Sequence, residues 1–177
     1  MIKRYSTMDL GLFHYLNSFA GRSEWLDAIF IFFASYLEYW LVGGLLASVI
    51  AYRWQNGFRI LTDALLAALF SRLILTEIIR FFYAKPRPFE VTDVYRLIDH
   101  SSGGAFPSGH AAFFFALAMA IFLYNRVWGG VFFVGAVLIS VSRVVGGIHW
   151  PSDILGGAVV GIFSGVLIFY LMKHYRV

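Results

Sequence analysis

The sequence predicts an all-α protein, a polytopic membrane helix bundle that forms one domain over residues 1–177. Of its 177 residues, 60% are hydrophobic and only 14% are charged, and the mean hydropathy is +0.74. Such values are untypical of soluble globular domains. The apolar residues also form runs of about 20, the length that a helix needs to cross the hydrocarbon core of a bilayer.

The apolar runs predict six membrane helices. Four runs are well defined, whereas the region 25–53 is interrupted by Glu38. That region is either one long tilted span or two short helices, and the interruption favours two. The predicted segments are 24–37, 38–53, 60–83, 108–124, 128–148 and 152–172.

Basic residues in short loops predict the orientation of the bundle. If the chain crosses the membrane at each predicted helix, the basic residues of these loops lie on one side. The positive-inside rule makes that side cytoplasmic. The opposite side then holds the long loop 84–107 and the short turn 146–152. The loop residues used here are Arg53, Arg59, Arg126, Lys173 and Arg176.

The last predicted span carries a glycine at every fourth position, namely Gly157, Gly161 and Gly165. Residues four apart lie on the same face of a helix, and small residues on one face let a second helix approach closely. The spacing therefore predicts a tight helix–helix contact along this span.

The composition excludes several classes of function. The chain has no cysteine, so it has neither disulfides nor thiolate ligands. Its ten acidic residues are scattered and do not form the carboxylate cluster of a two-metal site, so no metal is predicted. The formal net charge of +4 arises mostly at the ends of apolar runs, which indicates membrane topology and no nucleic-acid partner.

Three polar segments interrupt the apolar pattern, and the first is RFFYAKPRPF, residues 80–89. Pro86 and Pro88 end the helix and hold the backbone extended, so Arg87 is displayed on a stiff arm. Arg80 lies on the preceding helix. Seen alone, the segment is equally consistent with an interfacial basic cluster that contacts lipid headgroups.

The second segment is FPSGH, residues 106–110, where a span begins. Pro107 suits a first helical turn. Ser108, Gly109 and His110 then present backbone N–H groups at a helix N-terminus, which favours an anion. The alternative is an ordinary helix start.

The third segment, SRVVGGIHWPSD, covers residues 142–153. Arg143 lies inside an apolar span, where an unpaired charge is costly. Pro151 begins the final helix and places Asp153 in its first turn, within reach of His149. A carboxylate on one imidazole nitrogen fixes the tautomer and leaves the other nitrogen free to react. A purely structural His–Asp pair is the alternative.

All three segments fall on the same side of the predicted bundle. Together they supply two helix N-termini, three guanidiniums and two histidines, one of which has a carboxylate partner. Guanidiniums suit the forked recognition of phosphate oxygens. The combination predicts a phosphate site that contains both a nucleophile and an acid.

These segments resemble the three motifs of the type-2 phosphatidic-acid phosphatase superfamily, a family of integral membrane lipid phosphatases. Its Pro-Ser-Gly-His motif is complete at 107–110. The Ser-Arg, five residues, His, three residues, Asp motif is complete over 142–153. In the remaining motif Arg87-Pro88 match, but Arg80 stands in the place of the family's lysine. Lys85 is an alternative cation for that position.

The resemblance implies a role for each matched residue. His149 would attack phosphorus and form a phosphohistidine, with Asp153 orienting it. His110 would protonate the leaving oxygen and then activate water. It implies no cofactor, no metal and no obligate protein partner beyond the lipid phosphate substrate and the membrane lipids. The residues expected to hold the phosphoryl oxygens are Arg87, Ser108, Gly109, Arg143 and Arg80.

The small size and the aromatic-rich N-terminal region are similar to the bacitracin-resistance type of undecaprenyl-diphosphate phosphatase. This implies removal of the terminal phosphate of undecaprenyl diphosphate for cell-wall synthesis. With the orientation predicted from the basic loop residues, the site lies on the periplasmic or extracellular face of the bacterial cytoplasmic membrane. A phosphatidylglycerol-phosphate or phosphatidate phosphatase is the alternative within the family. A non-enzymatic transporter of lipid phosphates or anions is the alternative from another class.

Other charged residues are given structural interpretations. Arg72 is expected to form an intramembrane ion pair with Glu77, Asp27 or Glu38. Glu77 also lies three residues before Arg80, where it can pair with it. Glu38 is a weak candidate for placing a second phosphate. His14, His100 and His174 are interpreted as loop or surface residues.

Overall fold

A computed structural model describes residues 6–51 and 57–175, and over these residues the protein is helical and without strands. Arg53 and Arg176, which contributed to the predicted orientation, lie outside the described residues. The helices are α1 (Thr7–Asn17), α2 (Glu24–Ser35), α3 (Leu37–Ala51), α4 (Gly57–Leu69), a π-helical segment (Phe70–Leu75), α5 (Thr76–Phe82), α6 (Pro88–Val91), α7 (Gly109–Tyr124), α8 (Arg126–Val145) and α9 (Pro151–Tyr175).

The predicted all-α membrane bundle is confirmed, and each predicted apolar segment is largely helical where the structure describes it. The described part of the region 25–53 forms two helices, α2 and α3, which meet at a bend of 47°. Among the described helices, α8 and α9 are each long and apolar enough to cross a membrane. The bent pair brings that number to three if it counts as one broken span, and α7 is a shorter apolar helix.

Helix α7 lies at the centre of the bundle. It packs against α4, α8 and α9, and its alanines at 111, 112, 116, 118 and 120 are fully buried. A helix that is apolar on all faces belongs in the interior, where no side faces water or lipid. The core therefore forms around the helix that begins with the second polar segment.

The glycine face of α9 permits its close contact with α7, as its spacing predicts. A Cβ added at Gly157 would lie 2.5 Å from the carbonyl oxygen of Ser108, and one at Gly161 equally close to that of Ala112. A Cβ at Gly165 would lie 2.8 Å from the Cβ of Met119. The two backbones thus touch directly, which fixes the start of α9 beside the start of α7.

This packing brings the three polar segments to one end of the bundle. The end of α5, the start of α7, the end of α8 and the start of α9 lie together there. The bend between α2 and α3 lies at the same end, because the carbonyl of Ala34 accepts a hydrogen bond from Arg143. Arg126 and Lys173 belong to the opposite end.

Candidate active site

His149 lies in the turn between α8 and α9, held between a carboxylate and a guanidinium. Its Nδ1 is 3.4 Å from Oδ2 of Asp153, and its Nε2 is 3.3 Å from Nη1 of Arg87. The same Asp153 oxygen accepts the backbone N–H of Trp150 at 2.8 Å, which fixes the carboxylate in the first turn of α9. These contacts place the proton of a neutral His149 on Nδ1 and leave a lone pair on Nε2.

The surroundings of His149 favour its neutral form. The side chain is 1% exposed. Burial, together with the charges of Arg87 and Arg143, lowers the pKa of His149 well below its ordinary value of 6.5. An imidazole in this position is unprotonated at neutral pH, as a nucleophile must be.

Arg87 reaches His149 from the extended segment that the two prolines create. Helix α5 ends at Phe82, and Arg87 has extended backbone angles of −77° and 159° before Pro88 begins α6. Its backbone N–H donates to Oε2 of Glu90 at 2.7 Å, and its Nη1 donates to the carbonyl of Ile148 at 2.9 Å. Burial and the nearby Arg80 lower the pKa of Arg87 to about 10, so the group stays charged at neutral pH.

Arg80 and Arg143 complete a group of three guanidiniums around the turn. Arg143 donates to the carbonyl of Ala34 at 3.0 Å, and Arg80 to that of Pro107 at 3.0 Å. The Nε atoms of Arg80, Arg87 and Arg143 are buried and have no hydrogen-bond partner among the described residues. Buried donors are nearly always satisfied, so these N–H groups are suited to an anionic ligand.

The start of α7 differs from the sequence prediction in two respects. The helix begins at Gly109 with Ser108 as its N-cap, so Pro107 precedes the first turn instead of lying in it. The N–H of Ser108 donates to the carbonyl of Asp153 at 2.9 Å, because the contact between α7 and α9 brings that oxygen close. Only the N–H groups of Gly109 and His110 therefore remain to face a ligand.

His110 lies in the first turn of α7 beside Glu38 of α3. Its Nε2 is 3.2 Å from Oε2 of Glu38. A carboxylate at this distance stabilises a protonated imidazole. The two histidines thus have different neighbours, a carboxylate beside His110 and a guanidinium beside Nε2 of His149, and a pair of acid and base requires such a difference in environment.

The family that the polar segments resemble is also found when the sequence is compared with known proteins. Residues 62–176 match the family model described as the PAP2 superfamily. The chain belongs to this superfamily. The predicted resemblance is thereby confirmed, and the protein is a PAP2 lipid phosphatase of the membrane.

Several bacterial proteins are similar to this chain over most of their length. It is 32% identical to an Escherichia coli protein named putative undecaprenyl-diphosphatase YbjG, over 94% of this chain and 85% of the relative. It is 30% identical to undecaprenyl-diphosphatase BcrC of Bacillus subtilis, over 92% and 83%. A Bacillus licheniformis protein named bacitracin transport permease protein BcrC is 28% identical, over 94% and 81%.

Solved structures share the fold. The crystal structure of LpxE from Aquifex aeolicus has a TM-score of 0.77 at 26% identity and covers 96% of this chain and 99% of that one. A PAP2-type phosphatidylglycerolphosphate phosphatase from Bacillus subtilis has a TM-score of 0.64 at 21% identity, with 96% and 89% covered.

A network of buried charged side chains lies behind His149, on the side of its partner Asp153. Nζ of Lys85 lies 2.9 Å from Oδ2 of Asp9, 3.0 Å from Oδ1 of Asp153 and 2.6 Å from Oγ of Ser152. Asp9 also accepts the N–H and the hydroxyl of Ser152. Lys85 therefore does not take the place of the family's lysine beside the phosphate, since its ammonium is held by these two carboxylates.

Three residues near the site have no signal in the PAP2 motifs. Asp9 and Glu38 lie outside the matched residues 62–176, and only the fold brings them to the histidines. His100 was interpreted as an ordinary loop histidine, but its ring centroid lies 6.5 Å from that of His149. The loop that carries it is held by Asn17, whose side chain bonds Tyr95 and the carbonyl of Val145.

Arg72 pairs with Glu77, one of its three predicted partners. Glu77 also lies 3.2 Å from Nη1 of Arg80, so one carboxylate oxygen links two arginines. Within the described part of the chain, no group of three or more His, Asp or Glu side chains is close enough to hold a metal ion.

Proposed function

We propose that this PAP2 phosphatase removes the terminal phosphate of undecaprenyl diphosphate through a phosphohistidine on His149, without a metal. The observation that carries the proposal is the position of His149. Its Nδ1 faces Asp153, and its Nε2 faces the arginines whose buried Nε donors lack partners. This arrangement provides a fixed nucleophile next to a site for a phosphoryl group.

In the first step, the lone pair on Nε2 of His149 attacks the terminal phosphorus. The bond from phosphorus to the bridging oxygen breaks, and His110 gives its proton to that leaving oxygen. Asp153 keeps the proton on Nδ1 in place and stabilises the positive charge that the ring acquires. The lipid monophosphate then leaves.

In the second step, water attacks the phosphohistidine. His110, now neutral, takes a proton from the water as the new phosphorus–oxygen bond forms. The phosphorus–nitrogen bond breaks and its electron pair returns to Nε2. Inorganic phosphate is released, His110 is protonated again, and the sum of the two steps is hydrolysis of one phosphoanhydride bond.

The arginines stabilise the charge that develops on phosphorus. Arg80, Arg87 and Arg143 come from three separate elements, and each is anchored to a main-chain carbonyl. Donors that are already oriented need little reorganisation when the transition state forms, which makes electrostatic stabilisation effective. Ser108 acts here chiefly by capping α7, and the N–H of Gly109 adds a donor.

The choice of substrate is supported by the names of two relatives, both called undecaprenyl-diphosphatases. We propose that the site faces the periplasmic or extracellular side of the bacterial cytoplasmic membrane. Basic loop residues lie at the opposite end of the bundle, and the positive-inside rule predicts that this opposite end is cytoplasmic. A glycerolipid phosphatase remains the second candidate within PAP2, favoured by the shared fold of the phosphatidylglycerolphosphate phosphatase.

The test is phosphate release by the purified full-length protein in detergent with EDTA present. Undecaprenyl diphosphate, phosphatidylglycerol phosphate and phosphatidate are offered in parallel. We expect the fastest release from the diphosphate. His149→Gln should lower kcat by at least about 10³-fold, since loss of a nucleophile removes the reaction path, and the exposed His174→Gln is the matched control.

Each departure from this result has a distinct meaning. Inhibition by EDTA would contradict metal independence. A preference for a glycerolipid would contradict the proposed substrate but not the proposed phosphohistidine mechanism. Unchanged activity in His149→Gln refutes the phosphohistidine. No hydrolysis of any lipid by the folded protein favours transport, the function in the printed name of the Bacillus licheniformis relative.

A further inference from the structure

A cavity of about 360 Å³ lies between α3, the π-helical segment and the start of α7. Its polar end is formed by Glu38, Arg72, Gly109 and His110, and Tyr39, Val42 and two phenylalanines line the rest. Since His110 is the proposed acid for the leaving oxygen, the leaving group must lie next to it. The cavity adjoins His110 and is therefore the space available for the leaving group and the first part of its lipid chain.

The leaving group differs between the two classes of candidate substrate. When a lipid diphosphate is cleaved, the group that departs is itself a phosphate and is negatively charged. When a lipid monophosphate such as phosphatidate is cleaved, the group that departs is an uncharged alcohol. A cation in this cavity would discriminate between them, whereas the three arginines around His149 contact the terminal phosphate in both.

Arg72 is the cation that lines this cavity. Its side chain lies against Gly109 so closely that a Cβ on this glycine would overlap the Arg72 guanidinium. Arg72 and His110 thus flank the same turn of α7. Glu38 lines the cavity too, but a carboxylate repels phosphate, and its oxygen is engaged by Nε2 of His110.

The local backbone gives Arg72 this direction. The segment Phe70–Leu75 is π-helical within an otherwise continuous run from α4 to α5. A π-helical turn contains an extra residue and rotates the side chains that follow relative to an α-helix, and such turns are frequent at functional sites. Arg72 lies within this segment, and its side chain packs against Gly109 of α7.

The ion pair of Arg72 is one that a ligand can replace. Glu77 is half exposed, and a single oxygen of its carboxylate holds both Arg72 and Arg80. Because half of the Glu77 side chain is not covered by protein, its carboxylate has room to turn away from Arg72 when a phosphate binds. Arg80 belongs to the proposed terminal-phosphate site and Arg72 lines the cavity, so Glu77 joins a cation of one to the cation of the other.

We infer that Arg72 binds the second, lipid-linked phosphate and makes the enzyme selective for lipid diphosphates over lipid monophosphates. This inference rests on the proposed hydrolysis at His149. The phosphate displaces Glu77 from Arg72, and Arg72 then stabilises the negative charge on the departing monophosphate while His110 supplies the proton. Arg72 is thus a specificity-determining residue that lies outside the three PAP2 motifs.

The test compares kcat/KM for undecaprenyl diphosphate and for phosphatidate in Arg72→Gln. We expect the value for the diphosphate to fall about 10- to 100-fold, the range for a lost hydrogen bond to a charged group, and the value for phosphatidate to change less than about twofold. Arg72→Lys should recover part of the loss. Arg59→Gln, the same replacement on the same helical run but away from the site, should leave both values unchanged.

Glu77→Gln provides a second, independent variant. Removing the competing carboxylate should lower KM for the diphosphate more than KM for phosphatidate, because Glu77 also holds Arg80, which serves the terminal phosphate of both lipids. If the wild-type protein hydrolyses the diphosphate but not phosphatidate, the comparison uses inhibitors instead of substrates. Inhibition by methylenediphosphonate is then compared with inhibition by inorganic phosphate. Arg72→Gln should then weaken binding of the diphosphonate only.

The inference is overturned if Arg72→Gln lowers activity towards both lipids equally, which would indicate a structural ion pair, or if it changes neither. Both outcomes leave the wild-type hydrolysis intact. Failure of the proposed function itself is different, because the wild-type protein would then release phosphate from neither lipid.

Discussion

Replacing Lys85 by methionine tests whether the buried network behind His149 stabilises the protein as one unit. Lys85 is 3% exposed and is surrounded by two carboxylates that are themselves buried, Asp9 at 8% and Asp153 at 0%. Methionine has a similar length and no charge. The substitution leaves two carboxylates close together, with the hydroxyl and N–H of Ser152, the N–H of Trp150 and Nδ1 of His149 as their remaining donors among the contacts described above.

The expected cost follows from this burial. Removing one partner of a buried ion pair costs about 3–5 kcal/mol, because the remaining charge stays desolvated. Lys85 has two partners, at 2.9 and 3.0 Å, so we place Lys85→Met at the upper end, about 5 kcal/mol. That is a large share of the roughly 5–15 kcal/mol that stabilises a typical folded domain.

The double variant Asp9→Asn with Lys85→Met identifies the cause. It removes one negative and one positive charge and leaves Asp153 with its bonds to Trp150 and His149. We expect the double variant to be more stable than Lys85→Met alone by at least about 1 kcal/mol, within the coupling measured for residues in one network. Lys173→Met, on the exposed end of α9, serves as the control.

The assay is reversible unfolding of the purified protein in detergent, with phosphate release measured at a temperature where each variant is folded. Additive losses in the double variant would refute the network, since independent contacts show no coupling. A fully stable Lys85→Met would refute the argument from burial.

Two further predictions use the same protein. The pKa of His149 is lowered below 6.5, so the proposed nucleophile is protonated only when the pH falls through that lower value. A profile of kcat/KM measured from pH 8 to 5 should therefore decline only below pH 6.5. A decline that begins at or above pH 6.5 would contradict the assignment of His149 as the nucleophile. Gly161→Leu forces a side chain against the backbone of Ala112 and Ala116 and should destabilise the bundle by at least about 1–3 kcal/mol, whereas Gly130→Leu, with nothing within 4 Å of its added Cβ, should not; equal unfolding of the two would contradict the α7–α9 contact.

The fold was predictable because a membrane helix is encoded in a continuous stretch of sequence. Apolar runs and the prolines at 86, 88 and 151 set the helices and their ends within a few residues. The pairing of His149 with Asp153 was predictable for the same reason, since residues at positions 149 and 153 meet across a single turn.

The partners contributed by distant helices were not predictable in this way. Asp9 is 143 residues from Ser152 along the chain, and Glu38 lies in the first turn of α3, which only the packing of the bundle brings to His110. The spacing of Arg72 and Glu77 indicated a pair, but spacing could not indicate that Arg72 lines a cavity beside His110. The N–H of Ser108 was misjudged because its acceptor, the carbonyl of Asp153, belongs to another helix.

The contact between Asp9 and Ser152 also bears on the order in which the site can be assembled during synthesis. One partner is in α1 and the other in α9, so the network can close only after α9 has been made. Contacts of such long range form late, because the intervening chain must be ordered first. Until α9 is in place, His149 lacks the carboxylate of Asp153, so under the proposed mechanism a nascent chain in the membrane cannot yet hydrolyse the lipid phosphates around it.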